Sequence, residues 1–208
     1  MALELMMKRS EELHFAIIDL LDDAPVYPGA RNEVAMAACG VAFEHAKGLR
    51  ILFGAICLTS AVSMQRMQFE ALTRAMWLLY AASDLEVEKL TAPLTLESER
   101  MANKLPMVRD MVEMIVRKAP PAASQMLVQF KDMSWSAMNS FVHSGIHPLR
   151  RHTEGYPLHL ILQILRNSNG LNTMTGMLAA ILTGDERYIK PMRAVQRDFT
   201  DCLPVLVV

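Results

Sequence analysis

Apolar residues recur along most of this chain at the spacing of three to four residues that is typical of amphipathic helices. Before the apolar tail at residues 204–208, no segment combines strict alternation with the β-branched residues and hairpin turns that strands favour. We therefore predict an all-α fold. The most economical form is a single-domain helical bundle that spans residues 1–208 and has about six to eight helices.

Breaks in the apolar pattern, marked by proline, glycine and clusters of turn-forming residues, place the ends of these helices. The longest predicted helix covers residues 59–90, and an Asn-Ser-Asn-Gly segment at 167–170 could kink or split a late one. We predict helices over residues 3–22, 32–58, 59–90, 96–103, 106–118, 124–145, 157–184 and 186–202.

One face of the predicted helix 59–90 carries charge. Arg66, Glu70, Arg74, Trp77 and Asp84 fall within an arc of roughly 80° at about 100° per residue, whereas the other faces are mostly apolar. A charged stripe this narrow indicates ions held inside a bundle. Because Glu70 lies four residues from each arginine, it can pair with both.

A second polar stripe follows the predicted helix 124–145 and includes Ser140 and His143. We expect the two stripes to face each other, with a basic loop after residue 145 adding further groups. A solvated face and a buried ion network without function are the alternatives. The predicted catalytic groups are His143 and Glu70, and the predicted ligand-binding groups are Arg66, Arg74, Trp77, Ser140, His147 and Arg150.

Composition limits the possible classes. With 208 residues, 52% of them apolar and 21% charged, the chain is long and apolar enough for a full core. The formal net charge of -1 gives no overall attraction to nucleic acid or to an anionic membrane. The most apolar run, residues 51–64, is too short to span a bilayer, and the start lacks the pattern of a signal peptide. We expect a cytoplasmic protein with no membrane partner.

Neither cysteine nor histidine spacing predicts a metal site. The three cysteines are far apart and form no C-x-x-C pair. His143 and His147 have the spacing of two ligands on a helix, but Gly145 and Pro148 interrupt a helix through both. We therefore expect neither a metal nor a cofactor.

Four motifs in this chain resemble a family of uncharacterised bacterial helical proteins. They are E-H-A-x(3)-R at 44–50, S-A-x(4)-R-x-Q-F-E-A-L-x-R-A-x-W at 60–77, W-x(3)-N-S-F-V-H-x-G-I-H-P-L at 135–149, and R-N-S-N-G at 166–170. The resemblance names no activity. It implies one functional or structural unit and adds Asn139 to the predicted ligand-binding groups. The residues of this unit are Arg66, Glu70, Arg74, Trp77, Trp135, Asn139, His143 and His147.

More distantly, the chain is similar to HEPN-type helical bundles, several of which are RNA-cleaving toxins or abortive-infection proteins. The hallmark of that class, R-x(4-6)-H on a late helix, is matched here only by Arg9 and His14 on the first helix. The chain departs from the class at this point.

Three functions fit these patterns. The first is an interhelical pocket that binds a nucleotide or another small anion, in phage defence or stress. The second is an RNase or phosphodiesterase with His143 as its acid or base. The third is a non-catalytic interaction module, and a homodimer is expected because small residues on the late helices allow close packing.

Overall fold

The computed structural model describes residues 2–205, which form ten α-helices and no strand. The all-α prediction is confirmed, but the predicted number of helices was too low. The helices are α1 (Ala2–Leu21), α2 (Ala30–Gly54), α3 (Leu58–Tyr80), α4 (Asp84–Thr91), α5 (Leu96–Ala102), α6 (Val108–Lys118), α7 (Pro121–Val142), α8 (Ile146–Glu154), α9 (Leu158–Leu182) and α10 (Glu186–Asp198), followed by a 3-10 turn at Thr200–Cys202.

The prediction of one helix over residues 59–90 was wrong, because helix α3 ends at Tyr80 and a separate helix, α4, begins at Asp84. Ser83 opens α4 with a capping box, in which its backbone N–H donates to the Glu86 carboxylate at 2.7 Å. The guanidinium of Arg31 donates to two carbonyls at the end of α3 and pairs with Asp84 at 2.7 Å. Asp84 therefore lies apart from the charged stripe of α3.

Residues 167–170 do not split α9, which runs without a break for 25 residues. Their polar side chains form contacts between helices. Ser168 donates to the Gln68 side chain at 2.7 Å, and Asn169 donates to Ser10 at 2.8 Å. Buried polar groups that are satisfied in this way do not need to leave the helix.

The segment after residue 145, predicted as a loop, forms α8. Pro148 lies in its first turn, where proline costs no hydrogen bond. Together with α4, this short helix accounts for the difference in helix number.

The helices enclose two clusters of buried apolar residues. One joins α2, α3, α4, α6, α7 and α9, and the other joins α1, α2, α3, α7, α9 and α10. Helix α7 packs on α3, α6 and α8, whereas α10 packs on α9 and α1. None of the helices within residues 2–205 combines the length and the hydropathy needed to cross a bilayer.

Candidate functional site

Arg66 makes three contacts, two of which connect α3 to α7. Its Nε donates to Glu70 on the same helix, and its Nη1 donates to Asn139 Oδ1 on α7 at 2.9 Å. The guanidinium carbon also lies 3.6 Å from the centre of the Trp135 ring, at cation–π distance. The Arg66 side chain is only 13% exposed. The structure therefore brings together three of the predicted residues, Arg66, Glu70 and Asn139.

Two further predicted residues lie along α3. Arg74 is half-buried; burial lowers the pKa of its guanidinium, and the negative charge of Glu70 partly opposes this shift. Trp77 is fully buried in the core, and its indole Nε1 finds no hydrogen-bond partner in the described part of the chain. Trp77 therefore contacts core residues at the position where a ligand-binding group was predicted.

The four remaining predicted residues lie at the end of α7 and in α8. Ser140 accepts a hydrogen bond from the backbone N–H of His147 at 3.1 Å, which ties the two helices together. The side chains of His143, His147 and Arg150 are exposed, and Arg150 forms an ion pair with Glu154. No hydrogen bond or ion pair among residues 2–205 joins these three to Arg66 or Glu70.

A buried polar seam between α3 and α9 was not predicted. Gln65 donates to the Ile164 carbonyl at 3.1 Å, and Gln68 donates to the Ser168 carbonyl at 3.0 Å. The i, i+3 spacing of two glutamines on an apolar face of α3 was the available signal. This seam fixes the register of α3 against α9.

A cleft of about 910 Å³ separates α7 from α9, α10 and the segment after α10. The cleft forms because α7 packs on α3 and α6, whereas α10 packs on α9. Its floor depends on Gly170, where an added Cβ would lie 2.8 Å from Pro204. Apolar side chains cover much of its wall, namely Met126, Phe130, Met133, Leu171, Met174 and Leu203.

The cationic groups of this cleft come from α10. Arg193 and Arg197 line it one helical turn apart, and neither guanidinium has a carboxylate within 4 Å among the described residues. On the opposite wall, Asp132 lies 3.5 Å from the ammonium group of Lys131. The sequence analysis did not predict these two arginines as ligand-binding groups. Their i, i+4 spacing in the last helix was the available signal.

These features define the class of the molecule: an all-helical bundle with an interhelical cleft that is apolar inside and basic at one edge. The chain belongs to a family of unknown function, DUF6988, whose model matches residues 39–205. No curated protein and no solved structure matches this chain. The matched range includes the α3–α7 contact and every residue that lines the cleft.

Proposed function

We propose that this protein binds a small organic acid with an apolar body in the cleft between α7 and the α9–α10 pair. The observation that carries the proposal is an apolar cavity bordered by two arginines for which residues 2–205 supply no carboxylate partner. The proposal keeps the ligand class predicted from the sequence, a small anion. It assigns the binding site to the cleft and not to the residues that the sequence predicted.

The size of the cleft fits such a ligand. Small-molecule sites in proteins have volumes of about 300 to 1,000 Å³ and are lined mainly by apolar side chains with a few polar groups. The methionines at 126, 133 and 174 suit an apolar body of variable shape, because the methionine side chain is flexible and polarizable.

The charge at the rim favours an anionic head group. A guanidinium presents a planar fork that matches a carboxylate, and Arg193 and Arg197 can each offer one. Asp132 faces them with its charge partly neutralised by Lys131, so the net charge of the cleft is positive.

Decanoate is a suitable test ligand, because it combines an apolar chain with a carboxylate. Its binding is measured by the displacement of a fluorescent probe, 8-anilinonaphthalene-1-sulfonate. The wild-type chain is expected to bind decanoate saturably, and decanol, which lacks the charge, more weakly. Replacing Arg193 and Arg197 together by glutamine should raise the Kd for decanoate by about tenfold or more, since two charge-assisted contacts are lost.

A matched control removes two cations from the same helix without touching the cleft. Arg187 and Lys190 form ion pairs with Asp185 and Glu186 near the start of α10. The double variant Arg187→Gln, Lys190→Gln should bind decanoate as the wild type does. Absence of saturable binding to the wild type, or equal affinity in both double variants, would contradict the proposal.

The anion or nucleotide site predicted around Arg66, Arg74, His143 and His147 is a second candidate. In its favour, Arg74 is half-buried and has no hydrogen-bond partner among the described residues. Against it, Arg66 already uses two donors and one face for protein contacts. A nucleotide that raises the Tm of the wild type but not of Arg74→Ala would select this candidate.

Three further proposals remain from the sequence. RNA cleavage that survives His143→Ala would remove the RNase alternative. The homodimer is tested by light scattering. A role in phage defence or stress depends on which ligand is found.

A further inference from the structure

A second cavity, of about 520 Å³, lies between α1 and α2, outside the cleft described above. Arg50 lines it, although this residue is only 8% exposed. Arg50 donates one hydrogen bond, from Nη1 to the Ala46 carbonyl at 3.1 Å, and has no carboxylate within 4 Å in the described part of the chain. It is therefore a buried charge without a counter-ion.

Burying such a charge lowers the stability of the folded chain. Burial of an unpaired cation disfavours its charged form, and the pKa of Arg50 is accordingly lowered to about 10. Buried charges in proteins are usually paired, so an unpaired one that faces a cavity suggests a partner outside the chain.

His14 is a second buried polar group at the same cavity and is 9% exposed. The Asn172 side chain on α9 interacts with its imidazole and raises the pKa, which partly opposes the effect of burial. Within the described residues, however, neither His14 Nδ1 nor the Asn172 amide forms a hydrogen bond of normal geometry. The imidazole therefore keeps hydrogen-bonding capacity that the protein does not fully use.

The other charges at the cavity are nearer to solvent. Lys47 is exposed on α2 and has no ion-pair partner in the described range, whereas Lys8 on α1 pairs with Glu12 at 3.7 Å. Glu11 also lines the cavity, and its charge acts on Arg50 from beyond ion-pair distance. Glu4 lines the cavity as well, so Glu4 and Glu11 are the carboxylates that would compete with an incoming anion.

From these contacts we infer that the cavity between α1 and α2 is a binding site for a small oxyanion. Arg50 is its buried counter-charge, Lys47 the cation at its entrance, and His14 a hydrogen-bonding group at its inner wall. This site shares no residue with the α7–α10 cleft.

Inorganic phosphate and acetate are suitable probes, titrated into the full chain while NMR follows the imidazole signals of His14. We expect saturable shifts with at least one of the two anions. Arg50→Met should weaken that binding at least tenfold, because the bidentate charge-assisted contact is lost. Glu11→Gln should tighten it several-fold, because a competing carboxylate is removed.

A second measurement separates binding from the general stabilising effect of phosphate on proteins. The Tm is compared in phosphate and in chloride at equal ionic strength for the wild type and for Arg50→Met. The increase in Tm caused by phosphate should be larger for the wild type than for Arg50→Met. The double variant Arg193→Gln, Arg197→Gln should show the same increase in Tm as the wild type, which separates this site from the cleft of the proposed function.

Arg50→Met is expected to fold, because it replaces an unpaired buried charge by a flexible apolar side chain that matches the aliphatic part of the arginine. Absence of saturable His14 shifts with both anions would overturn the inference. Equal phosphate effects on the wild type and on Arg50→Met would also overturn it.

Discussion

Arg66 combines an ion pair to Glu70, a hydrogen bond to Asn139 and a stacking contact with Trp135. The side chain is largely shielded from water, so these contacts are worth more than those of an exposed pair. Trp135 in turn packs edge-on against Phe69 of the core, at 6.0 Å between ring centres. We interpret this group as the connection that holds α7 to α3 on the side away from the cleft.

Arg66→Ala is expected to lower the free energy of unfolding by about 2 to 3 kcal/mol, because Glu70 and Asn139 lose their donor and Trp135 loses its cation. Urea denaturation measures this change. The control is Arg109→Ala, whose side chain is 79% exposed and pairs with Glu113. That variant should stay within about 0.5 kcal/mol of the wild type. Similar losses in both variants would contradict the interpretation.

His14 predicts a pH dependence of stability. Burial, with a smaller contribution from the charge of Arg50, lowers its pKa from 6.5 to about 4. Between these values the unfolded chain binds a proton that the folded chain does not, so stability falls as pH falls from about 6.5 to about 4. The loss from this one group is about 2 to 3 kcal/mol.

The test compares urea denaturation of the wild type and of His14→Gln at several pH values between 4 and 7. The variant should lose less stability over this interval, because it has no imidazole to protonate. Parallel curves for the two proteins would contradict the assignment.

At the scale of the element, the sequence predicted helices well where the period is regular and the ends are marked by proline or glycine. Helix α6 begins and ends within two residues of the predicted limits. The gap between α3 and α4 was missed for two reasons. Its capping box, Ser83 to Glu86, was visible but was outweighed by the continuing apolar period. The other determinant, Arg31, lies far away in the sequence and becomes relevant only in the folded chain.

Two glycines inside helices give a matched pair of substitutions. At Gly170 of α9 an added Cβ would lie 2.8 Å from Pro204, whereas at Gly40 of α2 it would meet nothing within 4 Å. Gly40→Ala should raise stability by about 0.5 to 1 kcal/mol, because alanine is the better helix former.

Gly170→Ala should instead lower stability, since Pro204 must move away from the floor of the cleft. It should also weaken decanoate binding, while Gly40→Ala should leave binding unchanged. Thermal unfolding and the displacement assay give the two readouts. Equal gains in stability from both substitutions would show that the Pro204 contact has no energetic role.

At the scale of the whole molecule, the part of the candidate site that depends on one helix was predictable. The pair Arg66 and Glu70 follows from spacing alone, whereas Asn139 was predicted from the family motif and not from either polar stripe. The cleft was not predictable in this way. It depends on the chain after α10 returning to Gly170, and on α7 packing against α3 and α6 rather than against α10. These contacts join residues far apart in the sequence and leave no local pattern.

The central claim is that the cleft between α7 and the α9–α10 pair holds the apolar body of an organic acid. Methionine methyl groups test it most directly, because Met126, Met133 and Met174 line the cleft while Met111 and Met138 are buried elsewhere in the core. With methyl-labelled methionine, an NMR titration with decanoate should shift the first three signals saturably and leave the last two in place. Saturable binding of decanoate that leaves the signals of the three cleft methionines unshifted would contradict the account. So would a titration in which no signal shows saturable binding.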